Sequence, residues 1–289
     1  MGWLPVALLC AFSLASADAA TKRWLRDASA REITLLRYGL TGLLLAPLAF
    51  HQPLPELPAP FWRWIALLVP LELAAALLYM RAIRDYPLAE TLPYLAFTPV
   101  FVTLTGWLVL GERVDAPGLG GIALVVAGSW ALNVDTRRPG WREFARPFRA
   151  ILTNNGSRLM LLTAAIYSLT SVGGKAAMQW LPAETFGPLY FVLVGGAALV
   201  LFGATRPAAF GVVRRHPGAS LLVAVLSAVM VFTHFIALEQ VEAAYMITVK
   251  RTSLLFGILY GALLFGEPRL RRSLMAGTLM VSGVFLILV

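Results

Sequence analysis

The fold of this chain is decided by a stretch that occurs twice. Residues 101–128 read FVTLTGWLVLGERVDAPGLGGIALVVAG, and residues 256–283 read FGILYGALLFGEPRLRRSLMAGTLMVSG. Upstream, Ser13-Leu-Ala-Ser16 is repeated as Ser168-Leu-Thr-Ser171. At a constant spacing of 155 residues, the coinciding positions include Phe101/Phe256, Gly106/Gly261, Gly111/Gly266, Glu112/Glu267, Leu124/Leu279 and Gly128/Gly283. The chain is therefore a tandem duplication, with copies at 1–134 and 158–289 joined by a basic connection at 135–157.

The composition is that of a polytopic membrane protein. Apolar residues make up 59% of the chain and charged residues 13%, and the mean hydropathy is +0.76. The single cysteine, Cys10, excludes a disulfide framework and a cysteine metal site. The net charge of +9 does not indicate nucleic-acid binding, because the arginines lie in short gaps between apolar runs.

The apolar runs predict ten transmembrane helices, each close to the roughly 20 residues that cross a bilayer. Residues 4–20 also resemble a signal peptide, but no Lys or Arg precedes them, and their repetition at 168–171 indicates the first helix of a repeat. The predicted spans lie near 2–21, 33–50, 62–83, 88–110, 116–134, 158–177, 186–204, 218–238, 243–265 and 271–289.

An odd number of spans in each copy has a topological consequence. Five helices per copy place the start of the second copy on the opposite side of the membrane from the start of the first. We therefore predict an all-α membrane protein of two inverted five-helix repeats. This arrangement is typical of secondary transporters, whose substrate site lies near the midplane between the halves. The alternative is that duplication only built a membrane scaffold.

The basic residues predict the orientation of the chain through the positive-inside rule. Most of them lie in the gaps after odd-numbered spans. The other face of the membrane has little beyond Arg63, Arg113 and Lys175. We therefore expect both termini outside and the 135–157 connection in the cytoplasm. The gaps after odd-numbered spans carry Lys22, Arg23, Arg26, Arg31, Arg81, Arg84, six arginines from Arg137 to Arg158, Arg206, Arg214, Arg215, Arg269, Arg271 and Arg272.

The repeated stretch also resembles a known family. Residues 76–128 and 237–283 are similar to the EamA repeat of the drug/metabolite transporter superfamily. The resemblance implies a secondary carrier of small solutes without ATP hydrolysis or a prosthetic group. Members usually keep both termini in the cytoplasm, whereas the charge pattern here argues the reverse. The matching residues are Ala82, the apolar run through Pro99, Gly111-Glu112, Gly121 and Gly128, and in the second copy Gly266-Glu267.

Charges inside the spans give the candidate site. A charge at the centre of an apolar span costs about 2.5–3.5 kcal/mol on insertion scales, so it marks function. Lys250 and Arg251 lie some seven to eight residues into the ninth span, where the first copy has Leu95 and Ala96. Lys175, beside Gly173 and Gly174, is expected to reach the same cavity from the sixth span. Three converging cations would suit an anionic group.

The same three cations carry a narrower resemblance. In plastid phosphate translocators, a lysine in the sixth helix and a Lys-Arg pair in the ninth hold the substrate phosphate. Position by position these roles map to Lys175, Lys250 and Arg251. His234, Thr252 and Ser253 are weaker candidates for the same site.

Carboxylates leave a second interpretation open. Glu72, Glu90, Glu239 or Glu242 would neutralise the basic pair and serve as structural ion pairs or moving gates; Glu72 and Glu90 are also candidates for proton coupling. Glu112 and Glu267, each after a glycine, are expected to cap the following helix. Gly257-x-x-x-Gly261 is expected to form a helix-packing face.

The sequence as a whole predicts a permease that moves a small anionic or phosphorylated metabolite by alternating access. An exporter of amino acids or amphipathic compounds is the alternative, and a non-transporting scaffold or membrane enzyme is the alternative of another class. No catalytic residue, metal site or cofactor is expected. The expected partners are the substrate and the lipid bilayer, with a homodimer left open and nucleic acid excluded. The expected location is the cell inner membrane, as a multi-pass protein.

Overall fold

Helices form all of the regular structure that is described. The computed structural model describes residues 2–86, 94–131, 153–204, 210–265 and 270–288. Within these ranges every regular element is helical, as the apolar runs predict. Glu90, Glu267 and most of the 135–157 connection lie outside the described residues.

Each of the ten predicted spans contains a helix. Among the described residues, six helices are long and apolar enough by themselves to cross a membrane, and Thr98–Leu110, Ala116–Ala131 and Ala276–Ile287 are shorter apolar helices. The bounds are α1 Trp3–Trp24, α2 Ala30–Ala49, α3 Ala59–Asp85, α4 Thr98–Leu110, α5 Ala116–Ala131, α6 Asn155–Ala177, α7 Ala183–Ala198, α8 Pro217–Gln240, α9 in two segments Ala243–Lys250 and Ser253–Phe265, and α10 Leu270–Ile287.

Local chemistry explains several of the helix ends. At the start of α2, the Ser29 hydroxyl accepts from the Glu32 N–H at 3.3 Å, and the Glu32 carboxylate accepts from the Ser29 N–H at 2.8 Å. This capping box satisfies two donors that a helix start leaves free. At the start of α6, the Asn154 side chain accepts from the N–H groups of Gly156 and Ser157.

Two helices widen into π-helical turns. One turn, Leu36–Leu40, lies within α2, and the other, Leu199–Ala204, continues α7. The two helices cross where a Cβ on Gly42 would lie 2.6 Å from the Phe191 carbonyl oxygen and one on Gly195 would lie 2.5 Å from that of Tyr38. Glycine is required at both contacts because the backbones meet directly. Ascending residues of α2 meet descending residues of α7, so the helices run antiparallel.

The contact between α5 and α10 shows the internal symmetry most directly. A Cβ on Gly121 would lie 2.5 Å from the Gly283 oxygen, and a Cβ on Gly128 would lie 2.8 Å from the Ala276 oxygen. A shift of 155 residues turns Gly121 into Ala276 and Gly283 into Gly128, so each contact is the image of the other. Two equivalent helices thus cross antiparallel about a pseudo-two-fold axis, which is the relation that inverted repeats require.

The other helix pairs follow the same symmetry. Helices α8 and α9 of the second half pack against α1 of the first half. Their equivalents α3 and α4 of the first half pack against α6 of the second half. One core of buried apolar residues includes members of both halves, among them Phe61, Leu68, Phe186 and Phe235. The two repeats are therefore intertwined rather than separate domains.

One packing expectation from the sequence is not met. A Cβ on Gly257 would meet nothing within 4 Å, and the residue is exposed. The Gly257-x-x-x-Gly261 pattern therefore does not bring a neighbouring helix against Gly257. Exposed leucines and valines along the outer faces, such as Leu104, Leu108 and Leu263, are placed to contact lipid.

Candidate functional site in the bundle interior

The basic pair lies at a break in α9. The first segment ends at Lys250 and the second begins at Ser253, so Arg251 and Thr252 form a turn between them. Within this turn the Thr252 N–H and its hydroxyl both donate to the Val249 carbonyl, at 2.9 and 2.7 Å. A threonine that bonds back to its own helix competes with the regular ladder, and the helix tightens there.

The first repeat has a break at the equivalent position. Residues 96–97 form the turn before α4, where the Phe97 N–H donates to the Tyr94 carbonyl at 3.2 Å. Pro99 has no N–H for the Leu95 carbonyl, and the Thr98 hydroxyl donates to that oxygen instead, at 2.6 Å. The fourth and ninth spans are therefore both interrupted at one repeat position, and only the ninth carries charge there.

The structure brings His234 to Lys250. The Lys250 Nζ lies 3.4 Å from the His234 Nδ1. His234, Thr252 and Ser253 are all buried around the break. The equivalent of His234 in the first repeat is Tyr79. His234 therefore contacts the basic pair from α8.

Arg251 is a buried cation with an unused Nε–H donor. Its residue is only 7% exposed, and its Nε has no hydrogen-bond partner among the described residues. In the described part of the chain, no carboxylate lies within 4.0 Å of Lys250 or Arg251, so neither residue forms an ion pair with a carboxylate there. An uncompensated guanidinium in the bundle interior is expensive, and it is retained where function needs it.

Two carboxylates lie close enough to Lys250 to act on its charge. Glu72 is buried, whereas the Asp18 side chain is 42% exposed. Glu72 is 8% exposed and accepts a hydrogen bond from the Tyr38 hydroxyl at 3.1 Å, and its charge interacts with that of Lys250. Asp18 forms an ion pair with Arg37 at 2.7 Å, and it too interacts with Lys250. These five residues, Asp18, Arg37, Glu72, Lys250 and Arg251, form the central charged cluster.

Lys175 is placed elsewhere. Its Nζ lies 2.6 Å from the Glu112 Oε1 and also donates to the Val241 carbonyl. The other Glu112 oxygen accepts from the Ala243 N–H at 2.9 Å, at the start of α9. Lys250 lies at the other end of that segment, about 10 Å away along the axis at 1.5 Å per residue. The structure therefore brings Lys250 and Arg251 together but leaves Lys175 with Glu112.

Glu112 also departs from its expected role. The side chain that caps the following helix is Asp115, whose Oδ1 accepts from the Gly118 N–H at 2.8 Å. Glu112 instead caps α9, because the backbone turns at Gly111 and points the carboxylate toward the second half. The expectation for Glu112 was wrong about which helix it caps.

Two of the remaining candidate carboxylates, Glu239 and Glu242, make their described contacts away from the basic pair. Glu242 precedes the first segment of α9, and its backbone carbonyl accepts from Tyr245 and Met246. The Glu239 carboxylate accepts from the Ala183 N–H at 3.0 Å. Glu90 lies outside the described residues.

The comparisons with known proteins agree with this architecture. The model of the EamA-like transporter family matches residues 1–134 and, separately, residues 154–289. The chain belongs to the EamA-like transporter family. It is therefore a member of the drug/metabolite transporter superfamily, and the family's description makes it a membrane transporter.

One solved structure extends the comparison to the fold. A crystal structure aligns with this EamA-like chain at a TM-score of 0.76 and 17% identity, covering 100% of this chain and 99% of that chain. At this identity the likeness shows the fold alone. Among curated proteins, no match is found.

The sequence did contain the signal for the parts of the site that were missed. Asp18 and Arg37 lie within predicted spans, so the rule that identified Lys250 also applies to them.

In this EamA-like transporter, no group of three or more His, Cys, Asp or Glu side chains in the described ranges is arranged to hold a metal ion.

Proposed function

We propose that this membrane transporter is a permease that carries a small anionic metabolite by alternating access, with the basic pair at the break in α9 as the anion site. The proposal rests on the surroundings of Arg251. Its buried guanidinium has a free Nε–H, and a planar fork of donors suits a carboxylate or a phosphate.

The charge of the interior supports an anion rather than a cation. The central charged cluster holds three cations, Arg37, Lys250 and Arg251, and two carboxylates, Asp18 and Glu72. One positive charge is therefore left without a partner among these five residues. A substrate with one negative charge in excess would compensate it and offset the cost of burying that charge.

The substrate contacts follow from the positions around the break. Lys250 and Arg251 would bind the anionic group, with His234, Thr252 and Ser253 within the same buried turn and its neighbour α8. A phosphorylated metabolite and a carboxylate both have the required charge. The multi-pass protein would act in the cell inner membrane.

Alternating access is supported by the symmetry of the helix packing. The antiparallel crossings of α2 with α7 and of α5 with α10 relate the halves by a pseudo-two-fold axis. Two halves of near-equivalent structure can exchange their roles, so that one conformation opens to one side and its counterpart opens to the other.

Transport by reconstituted protein tests the anion site. Liposomes containing the protein, preloaded with unlabelled anion, would be supplied with labelled inorganic phosphate, a three-carbon phosphate ester or a dicarboxylate. We expect counterflow of at least one probe above empty liposomes, and at least a tenfold loss in Arg251→Gln. Arg63→Gln removes the same charge at an exposed site and should leave the rate unchanged.

Equal rates for a folded Arg251→Gln protein and the unaltered protein would overturn the anion site. No counterflow of any small solute, together with correct insertion, would favour the scaffold or enzyme alternative.

The exporter of amino acids or amphipathic compounds is the second candidate, and Glu72 favours it. This carboxylate, with Tyr38 as its donor, would accept the ammonium group of a zwitterion whose carboxylate binds Arg251. Glu72 is also the described candidate for proton coupling. If Glu72→Gln abolished counterflow of zwitterionic amino acids while these moved faster than the anions in the unaltered protein, this second candidate would replace the first.

A further inference from the structure

The connection between α4 and α5 reaches across to the second half. Residue Gly111 ends α4 with φ of 69°, a left-handed conformation that favours glycine. The chain then turns back, and the Glu112 N–H donates to the Gly106 carbonyl at 3.2 Å. Gly106 leaves room for the carboxylate, since a Cβ there would lie 3.0 Å from the Glu112 Oε2. The repeated glycines therefore direct Glu112 toward α6 and α9.

Both oxygens of Glu112 are engaged by the second half. One binds the Lys175 ammonium at 2.6 Å, and the other accepts from the Ala243 N–H at 2.9 Å. The Lys175 and Glu112 side chains are only 19% and 13% exposed. Charge-assisted bonds shielded from water in this way are stronger than surface ion pairs.

A second contact joins the same elements three residues further on. The Tyr245 hydroxyl donates to the Asp115 Oδ1 at 2.7 Å, and this bond holds the pKa of Asp115 below its ordinary value. The Tyr245 ring lies against the start of α5, where a Cβ on Gly118 would collide with it. The first segment of α9 also packs along α4. This face of the bundle is therefore closed by contacts between the halves.

The sequence does not repeat these partners at the opposite face. At a shift of 155 residues, Lys175 is equivalent to Ala20, Tyr245 to Glu90 and Asp115 to Leu270. The glutamate and its glycine are duplicated, but the lysine, the tyrosine and the aspartate are not. The closure therefore has a chemistry that belongs to one face only.

We infer that Glu112 and Lys175 form a lock that holds shut the face of the bundle where α10 ends, and that opening this face requires the pair to separate. That face is identified by Ile287, which lies against Gly121 at the start of α5. The lock goes beyond the anion site, because it concerns which side of the protein opens, whatever the cargo.

Labelling of a buried position measures the lock without any substrate. Ser253→Cys, at a residue 8% exposed beside the basic pair, would be made in a Cys10→Ser background. A charged, membrane-impermeant thiol reagent would then be added separately to each side of the membrane. Glu112→Gln and Lys175→Met are each expected to raise the labelling rate at least tenfold from the side where α10 ends, and from that side only.

Two matched variants separate the lock from a general loss of structure. Lys175→Arg keeps the charge and is expected to label within threefold of the unaltered background. Glu239→Gln weakens a bond from the same end of the bundle, between Glu239 and the Ala183 N–H, but both residues belong to the second half. It should leave labelling unchanged. Thermal unfolding of each variant in detergent would verify that the protein remains folded.

Unchanged labelling in folded Glu112→Gln and Lys175→Met proteins would overturn the lock, as would an increase seen only from the opposite side. An equal increase in Glu239→Gln would show general loosening and would overturn it as well. The assay contains no anion, so its failure is distinct from failure of the proposed anion site.

Discussion

Gly111 is the residue on which the link between the halves depends. Its φ of 69° is the one positive φ among the described residues. An L side chain in that conformation costs about 1–2 kcal/mol. The strain would fall on the turn that aims Glu112, which is why a glycine directly precedes the glutamate. The Gly-Glu pair that the sequence shows in both repeats thus has a structural reason in the first.

Replacing Gly111 is therefore expected to destabilise the protein. Gly111→Ala should lower the midpoint of thermal unfolding in detergent by a few degrees, because about 1–2 kcal/mol shifts the midpoint by about 2–8 °C in a protein of about 150–250 residues and by less in a chain of 289. Gly218→Ala is the control, because a Cβ there meets nothing within 4 Å and the residue lies in the first turn of α8. It should cause no decrease. Equal midpoints for the two variants would contradict the role given to Gly111.

Residues inside the spans could be predicted from the sequence, but their partners could not. Burial of the basic pair follows from its depth in an apolar run, and His234 lies on the adjacent helix. The partner of Lys175 depends on how the chain turns at Gly111, which is a tertiary property. Hydropathy gives the depth of a charge but not the direction of a connecting turn.

At the scale of elements, the two interrupted helices show the same limit, because hydropathy alone did not predict their breaks. Residues 88–110 and 243–265 read as continuous apolar spans, whereas the structure has turns at 96–97 and 251–252. Pro99 is a visible signal for the first turn, because it cannot donate to the preceding turn of helix. The second has no proline, and only comparison of the two repeats would have indicated it.

The helices α5 and α10 cross at direct backbone contact. A Cβ on Gly121 would lie 2.5 Å from a backbone oxygen, which cannot move without moving α10. Gly121→Ala should therefore cost about 1–3 kcal/mol, as overpacking does, and lower the unfolding midpoint.

Gly257→Ala provides the comparison for that variant. It adds the same methyl group within a helix that has open space around it. Alanine is the better helix former, so this variant should be neutral or slightly stabilising. An equal loss of stability in both would mean that α5 and α10 are not held at backbone contact.

At the scale of the whole molecule, duplication predicted the architecture better than any single segment did. Five spans per copy implied inversion, and the antiparallel crossings agree with that implication. The orientation drawn from Lys and Arg stays a prediction. Reagent reaching a cysteine placed in the 135–157 connection only from the cytoplasmic side would support it.

The symmetric interface also predicts that the chain can be divided. Residues 1–134 and 158–289, expressed together as two polypeptides, are expected to assemble and co-purify, because α2/α7, α5/α10 and α1/α8 contacts lie between the halves. Gly121→Leu in the first polypeptide should reduce the recovered partner severalfold. Recovery of each half alone, without its partner, would contradict this.

The Gly121 and Gly283 contact has one more consequence. Its equivalent in the repeat is the contact between Ala276 and Gly128. Each half therefore contacts the other through the same surface. A half-length ancestor that inserted into the membrane in both orientations would meet its own copy along these residues. Joining two such copies in one chain would require no new interface between them.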